Sequence, residues 1–315
     1  MLGLPNIWRV IGVIVLAIAL WTGYQSPRMG YPARLQFSAV SGFFQHDEEP
    51  EGPQFRATTT SNLGLLALKS HSRDEDVQKT EWEKFHDRLR QLNHDGVTKY
   101  KLFYVIRHGE GHHNVKEAQV GRSEWERHWA RLDGDNTSIW LDAHLTDKGK
   151  QQALAISKFL DNSAAQTGMI LPRTHYTSPL ARCLETTRLA FSAAGAAEGV
   201  KVIVKENLRE RLGVHTCDKR RSRTWIQENY ASYEIEHGFT EHDELWKSDV
   251  RESLEDHVLR INRFLHDVFE NDEEVVISLT IHSGAIRALY AAIDHRDVWV
   301  SPGAMVPVLI QAETV

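Results

Sequence analysis

The sequence predicts an α/β fold of three layers, with helices flanking a largely parallel central sheet. Three observations lead there. Short β-branched and aromatic runs alternate with longer segments of helical periodicity. The run VTKYKLFYVI stops abruptly at Arg107-His108-Gly109-Glu110, and the most hydrophobic run, EEVVISLTIH, stops at His282-Ser283-Gly284. Polar residues delivered at strand ends mark where ligands sit in such sheets, beyond the carboxyl ends of the strands.

In chain order, VTKYKLFYVI reads as a strand that opens after the turn signal Asp95-Gly96. LTDKGKQQALAISKFL reads as a helix with Thr146 as N-cap and Leu154, Ile156, Phe159 and Leu160 on its apolar side. RTHYTS reads as a short strand. Pro179, directly after Ser178, then opens a helix in PLARCLETTRLAF and sets Arg182 near its N-terminus. KVIVKENL reads as a strand running into Arg209-Glu210-Arg211, followed by the basic loop HTCDKRRSRTW and an insertion to about Glu252. LEDHVLRINRFLHDVF is an amphipathic helix, EEVVISLTIH a strand and AIRALYAAI a helix.

Three regions are expected: a hydrophobic signal peptide or membrane anchor over 1–26, a linker or N-terminal arm over 27–93 that ends in the helical stretch DVQKTEWEKFHDRLRQL, and a catalytic domain over 94–315. The apolar run within residues 10–24 would extend only about 20 Å as a helix, short of a ~30 Å hydrocarbon core, which favours a signal core or short anchor over a full span. A secretory or membrane-anchored location follows as the expectation, with a cytoplasmic one as its alternative. Asn136-Thr137-Ser138 fits a glycosylation acceptor on that route.

Composition narrows the function. A formal net charge of -6 argues against a nucleic-acid partner, since binding a phosphate backbone needs a concentrated basic surface. Two cysteines, Cys183 and Cys217, are too few for a disulfide framework and lack the spacing of a zinc site. His112, His113 and His215 also match no standard zinc spacing, so no metal and no cofactor is expected.

What remains is a local cationic pocket. Arg107 and Arg182 can grip phosphoryl oxygens through guanidinium forks, and a neutral His108 can attack phosphorus. His282 would help stabilise the transferring group. Asn114 and the backbone amides around Gly109 and Gly284 would add donors. Glu210 is the candidate proton donor to the leaving oxygen and the later activator of water, with Glu110 and Asp218 as alternatives. Lys219, Arg220, Arg221 and Arg223 either extend the pocket or form a solvated loop.

RHGEGHHN, SPLARCLETT, LRE and IHSG, in that order, together with LTDKG, resemble the histidine phosphatase superfamily, and within it the fungal phosphoglycerate mutase-like proteins. The resemblance covers roughly Tyr100 to the C-terminus. It implies a phosphoglycerate mutase-like fold and a phosphohistidine at His108, with Arg107, Arg182 and His282 around the phosphate and Glu210 as donor. Two departures bear on activity. True mutases of the family have tryptophan before the motif asparagine where this chain has His113, which weakens a mutase reading. The branch that takes its acid from an aspartate after the second histidine is also disfavoured, because Ser283 stands there. The expected activity is metal-independent hydrolysis of a phosphorylated small molecule, such as an intermediate of a biosynthetic route. The alternatives are a phosphomutase or a non-catalytic phosphate-binding protein.

Overall fold

The computed structural model describes residues 35–48, 55–68, 78–192 and 199–315. Among these, seven strands form one sheet in the order β1-β7-β2-β6-β3-β4-β5. The strands are β1 (Leu35–Ala39), β2 (Lys99–Arg107), β3 (Thr174–Thr177), β4 (Lys201–Val204), β5 (Glu234–Ile235), β6 (Val276–Ile281) and β7 (Met305–Thr314). The pairs β2/β6, β6/β3, β3/β4 and β4/β5 are parallel, and only β7 runs against its neighbours. The helices are α1 (Gln45–Glu48), α2 (Glu81–Leu92), α3 (His112–Val120), α4 (Arg122–Arg127), α5 (Asp147–Thr167), α6 (Ala181–Ala190), α7 (Arg223–Asn229), α8 (Leu254–Asn271) and α9 (Ser283–Ala292).

Strand β2 shows why the architecture has three layers. Its side chains alternate between faces. Phe103 and Val105 pack with Phe264, Leu265 and Val268 of α8 and Ile286 and Leu289 of α9, while Leu102, Tyr104 and Ile106 pack with Trp82 and Phe85 of α2 and Ile156 and Leu160 of α5. Both faces are therefore covered, as a largely parallel sheet requires.

Several expectations are refined. Thr146 caps α5 as expected, accepting from the Gly149 amide at 3.1 Å. Helix α6, however, begins at Ala181 rather than at Pro179, and its cap is remote: Asp142 Oδ1 accepts from the Ala181 amide at 2.9 Å. The KVIVKENL strand is cut to Lys201–Val204, because Glu206–Leu208 turns into a 3-10 helix.

The loosely packed linker expected over 27–93 is corrected where that segment is described. Strand β1 pairs with β7 along the sheet, and Phe37, Phe44, Trp82, Phe85 and Leu89 are buried in the two main cores. Trp82, Phe85 and Leu89 share one face of α2, within the stretch read as helical, whereas Phe37 and Phe44 stand singly between polar residues, so periodicity does not reveal those two. Residues 10–24 lie outside the described residues. Among the described residues no helix is long and apolar enough to cross a membrane.

Candidate active site

Parallel pairing of β2 with β6 aligns Arg107 with Ile281, and the His108 amide extends the ladder by donating to the Ile281 carbonyl at 3.0 Å. His108 and His282 thus leave adjacent strands side by side, with ring centroids 5.1 Å apart at 60°. Both are buried. Nδ1 of His108 lies 2.7 Å from its neighbour's carbonyl oxygen on Gly109, which can only accept; Nδ1 therefore carries the proton and Nε2 the lone pair. Burial, then Arg182 and Arg107, hold the His108 pKa well below its ordinary value, so the ring is neutral. Burial and Arg182 do the same to His282, whose Nε2 bonds the Ser178 hydroxyl at 2.8 Å.

The arginines come from different elements. Arg182, in the first turn of α6, donates from Nε to His108 Nε2 at 3.2 Å, from Nη1 to the Cys217 carbonyl at 2.6 Å and from Nη2 to Asp218 Oδ1 at 2.9 Å. Arg107 donates from Nη1 to the Val300 carbonyl at 2.8 Å and stacks over Trp299, while its buried Nε has no hydrogen-bond partner among the described residues. Burial lowers its pKa to about 10. The guanidinium remains charged at neutral pH.

Glu210 sits at the start of α9. Its Oε2 accepts from the Gly284 amide at 2.9 Å and its Oε1 from the Arg211 amide at 2.9 Å. A Cβ on residue 284 would lie 1.9 Å from Glu210 Oε1, so the glycine of IHSG makes room for this carboxylate. The glycine of RHG has a different reason. A Cβ on Gly109 would stand 2.3 Å from the Gly149 carbonyl, and one on Gly149 would stand 2.1 Å from the Glu110 carbonyl. The RHG and LTDKG motifs are therefore in backbone contact, which is why both need glycine.

His108, His282, Arg107, Arg182, Glu210 and Asn114 are brought to one place. All but the tucked-in His282 line a single open cleft of about 290 Å³. The two amides expected as phosphate donors are otherwise engaged: the Gly109 amide donates to Thr186 Oγ1 and the Gly284 amide to Glu210. Asn114 accepts from the Gly111 amide through Oδ1, closing the first turn of α3.

The alternative acids are disfavoured. Glu110 is tied to Lys148 and Thr146 and does not line the cleft. Asp218 is buried, which alone would raise its pKa, but Arg251 and Arg182 hold it down at about 2. The basic loop is structural at Arg220, which is buried against Glu206, Phe239 and the carbonyls of Thr240 and His242. The cleft's further cations are instead Arg122, Arg211, Arg251 and Arg287. Arg211 directly follows the LRE motif, whereas Arg122, Arg251 and Arg287 belong to none, so only the folded chain reveals those three. Asp218, which fixes Arg182 and Arg251, was legible only as a candidate acid. His215, Cys217 and Asp218 do cluster within 4.8 Å, but the Asp218 carboxylate is already shared by two guanidinium groups.

The profile of the histidine phosphatase superfamily, branch 1, matches residues 103–300, spanning β2 to the approach to β7. The chain belongs to the histidine phosphatase superfamily. Members of this superfamily are phosphatases or phosphomutases. The chain is similar to a "Probable phosphoglycerate mutase" of Arthroderma benhamiae, 39% identical over 287 residues that cover 89% of this chain and 85% of the relative. It is 30% identical to "Phosphomutase-like protein 3" of Candida albicans, over 94% of this chain and 85% of the relative. Among solved structures, Bacillus stearothermophilus YhfR aligns with a TM-score of 0.41 and 20% identity, over 66% of this chain and 90% of that one.

Proposed function

We propose that this histidine phosphatase superfamily member hydrolyses a phosphomonoester through a phosphohistidine at His108. One observation carries the reading: a buried, neutral imidazole whose free Nε2 faces a guanidinium at the head of an arginine-lined cleft. Nε2 attacks phosphorus and the ester P–O bond breaks. Arg107, Arg182 and His282 stabilise the equatorial oxygens, and Asn114 adds a contact. Glu210 protonates the departing oxygen. In the second half, Glu210 takes a proton from water, the resulting hydroxide attacks phosphorus, and the P–N bond breaks to release inorganic phosphate and restore His108.

This scheme draws its positive charge from guanidinium groups, so it contains no metal step. The substrate class it fits is a phosphorylated small molecule, such as an intermediate of a biosynthetic route, because the phosphate subsite is buried while the cleft beyond it is wide and cationic.

The names of the relatives favour a second reading, transfer of the phosphoryl group back to substrate, which needs a site that shields phosphohistidine from water. His113 stands where the mutases have tryptophan, buried with its ring 5.6 Å from His108. An assay that measures free phosphate and isomerised product together separates the two. Release of phosphate with no isomerised product, abolished in His108→Ala, is expected. Isomerised product without free phosphate would assign the chain to the mutases.

A further inference from the structure

Away from the cleft, His46 and Asp47 of α1 meet His295, three residues past the end of α9. All three side chains are almost wholly buried, with 9%, 3% and 2% of their surface exposed. Asp47 Oδ1 lies 3.5 Å from His46 Nε2 and 3.3 Å from His295 Nε2.

The protons make this arrangement unusual. His295 Nδ1 lies 2.8 Å from the Arg296 carbonyl, which can only accept, so Nδ1 carries the hydrogen. In a neutral ring, Nε2 then presents a lone pair to the carboxylate. His46 bonds the Pro307 carbonyl, and its Nε2 is buried with no hydrogen-bond partner among the described residues. It too aims at Asp47. Two imidazole nitrogens and a carboxylate oxygen converge, and the second carboxylate oxygen is held by the Phe44 amide at 3.2 Å.

Only a cation or added protons make such a convergence favourable. Each imidazole is already oriented through its other nitrogen by a backbone carbonyl, the outer-sphere support that metal-binding histidines have. The two histidine–carboxylate distances are near those of a bound ion, and all three ligand atoms lie within 4.8 Å of one another. Ligands on a tetrahedral zinc ion at 2.0–2.1 Å stand about 3.3 Å apart. The set of two imidazoles and one carboxylate suits borderline divalent ions better than calcium or magnesium.

We propose that His46, Asp47 and His295 form a structural site for a zinc-class divalent ion. His46 also lines a cleft with Met305 and Pro307, from which water completes the coordination. The ion pins α1 to the turn that follows α9. Helix α9 starts directly after His282, about 15 Å away along its axis, so the site is separate from the phosphate cleft.

The test is titration of the full chain, made without a histidine tag and stripped with chelator, with Co²⁺ and then Zn²⁺. One equivalent of Co²⁺ should bind with the intense visible absorption of a tetrahedral site, Zn²⁺ should displace it, and either ion should raise the Tm. His295→Ala and Asp47→Asn should each weaken uptake at least about a hundredfold. Absence of a stoichiometric Co²⁺ spectrum and of any Tm change in the unmodified chain overturns the proposal. So does uptake that both variants leave intact. The phosphatase reading does not depend on the result.

Discussion

The Nε of Arg182 donates to Nε2 of His108 at 3.2 Å, so the arginine proposed to grip phosphate already touches the nitrogen proposed to attack. The same guanidinium reaches the Cys217 carbonyl and Asp218, which a single ammonium cannot do together. Arg182→Lys should therefore keep the charge yet lower kcat/KM on the order of a hundredfold or more. Steady-state kinetics on a generic phosphomonoester checks this; near-normal turnover in Arg182→Lys would contradict the geometry.

A pH dependence follows for the nucleophile. Burial first, then Arg182 and Arg107, hold His108 neutral well below its ordinary range, so the ring stays competent as the medium becomes mildly acidic. ¹⁵N NMR of the His108 ring should show no protonation between pH 7 and 6. A midpoint in that interval would remove the electrostatic basis of the mechanism.

Glu210 and Gly284 are tested together. The Cβ added in Gly284→Ala meets the end of a flexible side chain, so the fold should survive while the carboxylate is displaced. Loss of kcat of about a hundredfold is expected from general acid–base catalysis, with little change in Tm. In a Glu210→Gln background the same substitution should cost almost nothing more, the signature of two residues acting as a unit. Full additivity of the two changes would separate Gly284 from Glu210.

Asp218 balances Arg182 and Arg251 where all three are largely buried. Removing it in Asp218→Ala leaves two guanidinium groups without a counter-ion and should cost about 3–5 kcal/mol, read by denaturant unfolding. Its depressed pKa gives the sign of the acid dependence. The ion pair's contribution is complete above the unfolded value near 4 and is lost as pH falls toward 2.

Asp142 behaves in the opposite sense. Burial pushes its carboxyl up to about 6, against the Ala181 amide and the nearby arginines. The folded state thus holds a proton that the unfolded chain has released. Stability should fall as pH rises from about 4 to 6 and level off above. Asp142→Asn should flatten that limb in a Tm-against-pH series, and Asp142→Ala should in addition lose the remote cap of α6, about 1 kcal/mol.

The parts of the fold visible in the sequence are those written in local pattern. VTKYKLFYVI and EEVVISLTIH are hydrophobic enough to read as strands, and their polar ends mark the edge where the candidate site lies. The antiparallel partner β7 and the edge strand β1 went unread, since neither bears a motif and Phe37 is the one fully buried side chain of β1. The same holds at the site. Arg107, His108, Arg182, Glu210 and His282 stand in ordered motifs, whereas Arg251 and Asp218 matter through an ion pair 33 residues apart in sequence, which no spacing rule encodes. The remote cap of α6 by Asp142 is likewise a tertiary fact.

The central claim is that a phosphoryl group rests on His108 during turnover. Rapid acid-free quench of the enzyme with a ³²P-labelled phosphomonoester, followed by peptide mapping, tests it most directly. The account predicts an acid-labile, base-stable label on the peptide carrying His108, absent from His108→Ala. Turnover without any such label, or a label on another residue, would contradict it.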